Sequence, residues 1–280
     1  MKIKIISDST CDLPQEILRK YDITLLPLTV IKDGEAFLDG VTITPAEIFA
    51  HVAAGGSLCT TSAINIGDYQ KVFAQYADKY DGILHINLGS GFSSCYQNAC
   101  LAAEDFPNVR VVDSENLCTG QGQVVLQACR LAETCRDLDE LKAQLDEYKA
   151  RVEISFLLDR LDYMVKGGRC SSATALGANL LHLKPCIEVR DGRMSVVKKY
   201  RGSYAKCLAN YAKDRLANRS DLGGGTLFTT WTVVDDECLD TVRDCIAQWG
   251  CFDEIVENLA GSTISCHCGP GTLGLVFVRK

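Results

Sequence analysis

No stretch of this 280-residue sequence is apolar for long enough to span a bilayer. Met1-Lys2-Ile3-Lys4-Ile5-Ile6 runs straight into Ser7-Asp8-Ser9, which is too short an apolar run for a signal-peptide core, so a cytoplasmic location is expected. Positive charge is in short supply. The formal net charge of -7 gives no electrostatic footprint for nucleic acid or an anionic membrane. There is no internal repeat, low-complexity tract or long linker. A Gly-x-x-x-x-Gly-Lys-Ser/Thr phosphate loop is missing, and so is a Gly-x-Ser-x-Gly elbow at Ser93, because position 95 is Cys. Cys266-His267-Cys268 has no second ligand pair, and adjacent ligands do not match zinc-site spacing, so no metal is expected.

Cysteine, by contrast, is plentiful. Fifteen residues is a large, odd number, yet it stays below the share of a disulfide scaffold. Cys100, Cys129, Cys207 and Cys245 fall at apolar positions of helical patterns, where a thiol acts as a small hydrophobe. Reduced, buried cysteines are therefore expected, and a bacterial cytosol fits that usage.

The length favours two domains. Leu88 to Tyr96 is a Gly/Ser-rich turn between an apolar run, Gly82 to Leu88, and a helical pattern over about 94–105. A strand that feeds a helix through such a turn leaves backbone N–H groups pointing beyond the strand, a place suited to an oxygen-rich, anionic ligand. Helices at about 67–79 and 121–134 and a strand at Val109 to Val112 extend the alternation up to the run Ile154 to Leu158. This predicts a parallel sheet with helices on both faces and a ligand beyond the carboxyl ends of its strands. Ser7-Asp8-Ser9, Ser90 to Ser94 and Asp113-Ser114 all follow strands and are expected to converge there. An apolar run from Ile23 to Ile31 meets a hairpin signal at Asp33-Gly34, and a second hairpin is centred on Asp191-Gly192. After residue 158 hairpins mix with helices, including Ser172 to Leu181. The chain is accordingly divided into an α/β domain, 1–158, and an α+β domain, 159–280.

Candidate site residues carry alternative readings. Thr60, Thr61 and Ser62 lie in what reads as a loop, where hydroxyls either meet an anion or are solvated. Ser93 is a ligand hydroxyl or an N-cap, and Arg169 contacts a ligand or balances a helix C-terminus. Cys266 with His267 as base fails as a nucleophile pair if the segment is a strand, since neighbours then face opposite sides. His267 before Gly269-Pro270-Gly271 suits a polar tip at the mouth of a cleft, while His51, His85 and His182 read as structural.

Taken together, Ser7-Asp8-Ser9-Thr10-Cys11-Asp12-Leu13, Thr61-Ser62, Gly91-Phe92-Ser93 with Tyr96-Gln97, Val112-Asp113-Ser114, Lys166-Gly167-Gly168-Arg169, Lys184-Pro185, Asp191-Gly192 and His267-x-Gly269-Pro270-Gly271 resemble the DegV family of bacterial fatty-acid-binding proteins. That family includes the binding subunits of fatty acid kinase. The resemblance implies a two-domain protein holding a long-chain fatty acid such as palmitate between its domains. It assigns the carboxylate to Thr61, Ser93 and His267, with Ser62, Ser94 and Arg169 around them. It further implies a non-enzymatic carrier that presents the carboxylate to a separate fatty acid kinase catalytic subunit, without cofactor or metal. The sequence departs from relatives at Ala63-Ile64-Asn65 and Ser94-Cys95, both beside the expected head-group residues. The alternatives are a phosphoryl-transfer or small-anion enzyme using the same crevice, and a structural or regulatory module whose loops are mere caps.

Overall fold

The computed structural model describes residues 1–176 and 183–280. In chain order the strands are β1 (Ile3–Asp8), β2 (Thr24–Leu26), β3 (Thr29–Lys32), β4 (Glu35–Leu38), β5 (Thr60–Ser62), β6 (Gly82–Asn87) and β7 (Val109–Asp113). They continue with β8 (Val152–Leu158), β9 (Leu183–Arg190), β10 (Arg193–Arg201), β11 (Thr226–Trp231), β12 (Glu254–Leu259) and β13 (Thr272–Val278). The helices are α1 (Gln15–Lys20), α2 (Pro45–Ala53), α3 (Ile66–Ala77), α4 (Cys95–Ala103), α5 (Cys118–Ala132) and α6 (Leu138–Lys149). In the second half they are α7 (Asp162–Gly167), α8 (Ser171–Leu176), α9 (Tyr204–Leu216), α10 (Asp236–Trp249) and α11 (Ser262–Cys268).

The expected parallel sheet is present in the order β2-β1-β6-β7, with every pairing parallel. All six residues of β6 are buried, His85 and Asn87 included, as expected for a parallel strand covered on both faces. A second, mixed sheet runs β10-β9-β8-β13-β11-β12, and a small antiparallel sheet runs β4-β3-β5. The mixed α/β fold with two domains matches expectation. Strand β8, grouped with residues 1–158 in the sequence, pairs with β9 and β13 inside the six-stranded sheet. Helix α5 packs against β1 and β6 on one side and β8, β11 and β13 on the other. It therefore lies between the two main sheets, which explains why it buries 11 of its 15 residues.

Three local readings are corrected. The run Ile23 to Ile31 is broken at Pro27, which has no N–H for a ladder, and its halves join different sheets. Thr60–Ser62 is not a loop but a strand paired with β3. Residues 262–268 are helical, so the strand-based objection to a Cys266–His267 pair does not apply. All fifteen cysteines are free and twelve are buried, Cys129, Cys207 and Cys245 among them as expected, whereas Cys100, also expected to be buried, is half-buried on α4, as is Cys135, and Cys251 is exposed. His182 and the end of the helix expected at Ser172 to Leu181 lie outside the described residues. Among the described residues, no helix is long and apolar enough to cross a membrane.

Candidate functional site

Of the three segments expected to converge, Ser90 to Ser94 supplies the site residue and the other two hold it in place. Asp8, at the end of β1, is fully buried. Its Oδ1 accepts from the Tyr69 hydroxyl at 2.8 Å, and its Oδ2 accepts from the Leu88 N–H at 2.8 Å and from Asn87 Nδ2 at 3.1 Å. A buried carboxylate needs several donors, and here those donors fix the start of the 88–96 loop. Asp113, at the end of β7, accepts from the Ser90 N–H at 3.0 Å and from the Glu115 N–H at 2.9 Å. Ser7 donates to the Ile86 carbonyl, Ser9 donates to Asp39, and Ser114 donates to the Asn116 carbonyl. Each of these residues spends its polar atoms on the protein. None lines the cleft described next.

That cleft encloses about 550 Å³, counting its open mouth, and is lined by Thr61, Ser62, Ser93, Arg169, Thr263 and His267 among apolar side chains. Thr61 Oγ1 and His267 Nε2 are 2.8 Å apart, joining residues 206 apart in sequence. Pairing with β3 delivers Thr61, and packing of α11 against α2, α7, β3 and β5 delivers His267. Burial, together with the nearby Arg169 guanidinium, lowers the imidazole pKa to about 4, so it is neutral at pH 7. Gly167 makes room for the ring, because a Cβ there would sit 2.5 Å from His267 Nδ1.

Ser93 lines the cleft and also serves as a cap. Its Oγ accepts from the Cys95 N–H at 3.3 Å, at the start of α4. Ser94 is exposed at the N-cap position and makes no side-chain cap bond. Arg169 combines its two readings: its guanidinium donates to the Gly167 carbonyl at 2.7 Å, at the end of α7, and it is exposed at the cleft mouth. Thus Thr61, Ser93 and His267 share one wall space with Ser62 and Arg169, whereas Ser94 lies outside the lining.

Next to the cleft lies a second, smaller chamber that shares Leu117, Ile264 and Cys268 with it. Ile154, Phe156 and Val276 contribute apolar walls. The hydroxyls there are already paired: Thr119 with Thr230 at 2.9 Å, Ser155 with Tyr211 at 2.9 Å, Thr232 to the Gly269 carbonyl at 2.8 Å and Thr272 to the Cys268 carbonyl at 3.1 Å. Paired hydroxyls leave mainly methyl and methylene groups facing inward. The space is therefore polar at one end and apolar at the other. Among the described residues, no group of His, Cys, Asp or Glu is arranged to hold a metal ion.

The fold anchors Asp8 and Asp113 and the wall residue Thr263 were not singled out as such from the sequence. Asp8 and Asp113 carry no spacing signal for their role, and Thr263 becomes visible only once 262–268 is known to be a helix.

Residues 2–280 match a family model described as "Uncharacterised protein, DegV family". A DegV domain-containing protein of Clostridium acetobutylicum is 33% identical over 283 residues, covering 100% of this chain and 99% of the relative. Among solved structures, a fatty-acid-binding DegV family protein from Thermus thermophilus superimposes with a TM-score of 0.93 at 29% identity, each chain covered fully at 100%. A stearic acid-binding protein from Eubacterium ventriosum gives a TM-score of 0.85 at 26% identity, covering 99% of this chain and 98% of the other.

Proposed function

Because the chain belongs to the DegV family, we propose that it binds one long-chain fatty acid, carboxylate at Thr61, Ser93 and His267, tail in the chamber behind. A carboxylate accepts hydrogen bonds and donates none, so it needs donors close together. In the neutral tautomer that carries its proton on Nε2, the imidazole donates to Thr61 Oγ1, which frees the Thr61 O–H to donate to the ligand. The Ser93 hydroxyl, which in the ligand-free protein donates to Cys95 Sγ at 3.2 Å, turns that weak bond over to the carboxylate while its oxygen stays engaged with the Cys95 N–H. Ser62 and Arg169 flank the head group at the mouth, and Ser94 belongs to the outer loop surface.

The tail supplies affinity, at roughly 0.8 kcal/mol for each buried CH₂, and the head group supplies orientation. The observation that carries this reading is the Thr61–His267 pair in a cleft that shares Leu117, Ile264 and Cys268 with a neighbouring apolar chamber. The ligand then lies between two units, with β8 assigned to the second because its strand partners are there.

The same proposal makes the chain a cytoplasmic carrier without chemistry of its own, presenting the carboxylate to a separate fatty acid kinase for acyl phosphate formation. Extraction or native mass spectrometry of the purified protein is expected to reveal a co-purifying acyl chain. Acyl phosphate is expected only when a kinase subunit and ATP are added. A chain that ignores added fatty acid sinks the binding reading. Turnover of a phosphorylated substrate by the isolated chain instead favours the small-anion enzyme.

A further inference from the structure

Thr263 is 3% exposed, lines the head-group cleft, and its Oγ1 has no hydrogen-bond partner among the described residues. Stranding a buried hydroxyl costs stability, and native structures rarely keep one without a use for it. Its neighbours sharpen the contrast. Thr61 and Ser93 are engaged with protein partners, and so are the hydroxyls around the deeper chamber. Ser265 and Thr229 are also unpartnered and buried, but neither lines the cleft.

Helical spacing gives the position meaning. Thr263 and His267 are four residues apart in α11 and so share a face, while Ile264 and Cys268 form the adjacent stripe. The first pair lines only the outer cleft, whereas the second pair lines both the cleft and the chamber behind it. The helix therefore presents a polar stripe beside an apolar one, along the path from mouth to chamber.

We propose that the Thr263 hydroxyl is a further ligand-binding donor: it completes the carboxylate's hydrogen bonds beside Thr61, Ser93 and His267, and α11 sets the ligand's direction with its two stripes. This rests on the fatty-acid reading given above. The carboxylate lies against Thr263 and His267, and the tail crosses Ile264 and Cys268 into the chamber.

Palmitate and 1-hexadecanol, titrated against wild type, Thr263→Val and Thr263→Ser, test it. Valine keeps the shape and removes the hydroxyl, so palmitate affinity is expected to fall about tenfold to a hundredfold. Selectivity for palmitate over hexadecanol is expected to fall about five- to tenfold, because a charged acceptor gains more from the lost donor than a neutral one. Serine restores both. The ligand-free Thr263→Val protein is expected to melt at or above the wild-type temperature, since a stranded hydroxyl is gone. Should valine fail to fold, Thr263→Ala gives the same binding readout. Wild-type affinity in the hydroxyl-free variant, or equal loss of both probes, overturns the assignment and leaves the fatty-acid reading standing. A wild-type chain that binds neither probe overturns the fatty-acid reading itself.

Discussion

On the proposed reading the Thr61 side chain accepts from His267 and donates to the carboxylate, and its removal should be felt on both accounts. Thr61→Val strands His267 Nε2 and is expected to cost about 1–3 kcal/mol of stability, read in urea melts, along with palmitate binding. Ser93→Ala loses the bond from the Cys95 N–H and the one its hydroxyl donates to Cys95 Sγ, together about 0.5–2 kcal/mol, but is expected to weaken palmitate by about tenfold or more in the same titration. If stability alone moves in Ser93→Ala, the loop is a cap and nothing else. His267 has a pH signature. Its folded pKa, about 4, lies below the ordinary 6.5, so the unfolded chain binds more protons between those values. Stability from this group is thus full above pH 6.5 and declines as pH falls toward 4, by roughly 3 kcal/mol. Melting curves of wild type against His267→Gln should converge across that window, and parallel curves would deny the depressed pKa.

Elements meet at this site through close approaches that only glycine permits. Gly167 ends α7 against the His267 ring, and Gly91 of the head-group loop lies against the Gly192 carbonyl at the tip of the β9–β10 hairpin. Gly167→Ala pushes on a ring already tied to Thr61, so a loss of about 1–3 kcal/mol and weakened palmitate binding are expected in melts and titrations. Much at this scale was legible in the sequence. The β6–loop–α4 unit followed from a largely apolar run, small turn residues and a helical period, and the β9–β10 hairpin followed from Asp191-Gly192. What stayed illegible was decided by tertiary contacts. Thr60–Ser62 is too short for a period and is a strand only because β3 offers an edge. Ser262–Cys268 contains Thr and Ile, residues that favour strands, yet packing between α2 and α7 makes it a helix. With that helix unread, His267 was found as a tip before glycines while Thr263, one turn earlier, was not.

At the scale of the whole molecule, ligand and fold are linked. A ligand that bridges β5, the 88–96 loop and α11 binds the native state alone, so palmitate at a hundred times its dissociation constant should add about 2.7 kcal/mol of stability. A melting temperature that rises with palmitate concentration checks this, and an unchanged one would mean that the cleft takes no such ligand. The 206-residue separation of Thr61 and His267 carries a consequence for biosynthesis. A chain still emerging from the ribosome can pair β1, β2, β6 and β7 well before its final helix exists. On the proposed reading such a partial chain holds Thr61 and Ser93 without His267, and a chain cut after Ala260, which also lacks β13 of the six-stranded sheet, is expected not to take up fatty acid.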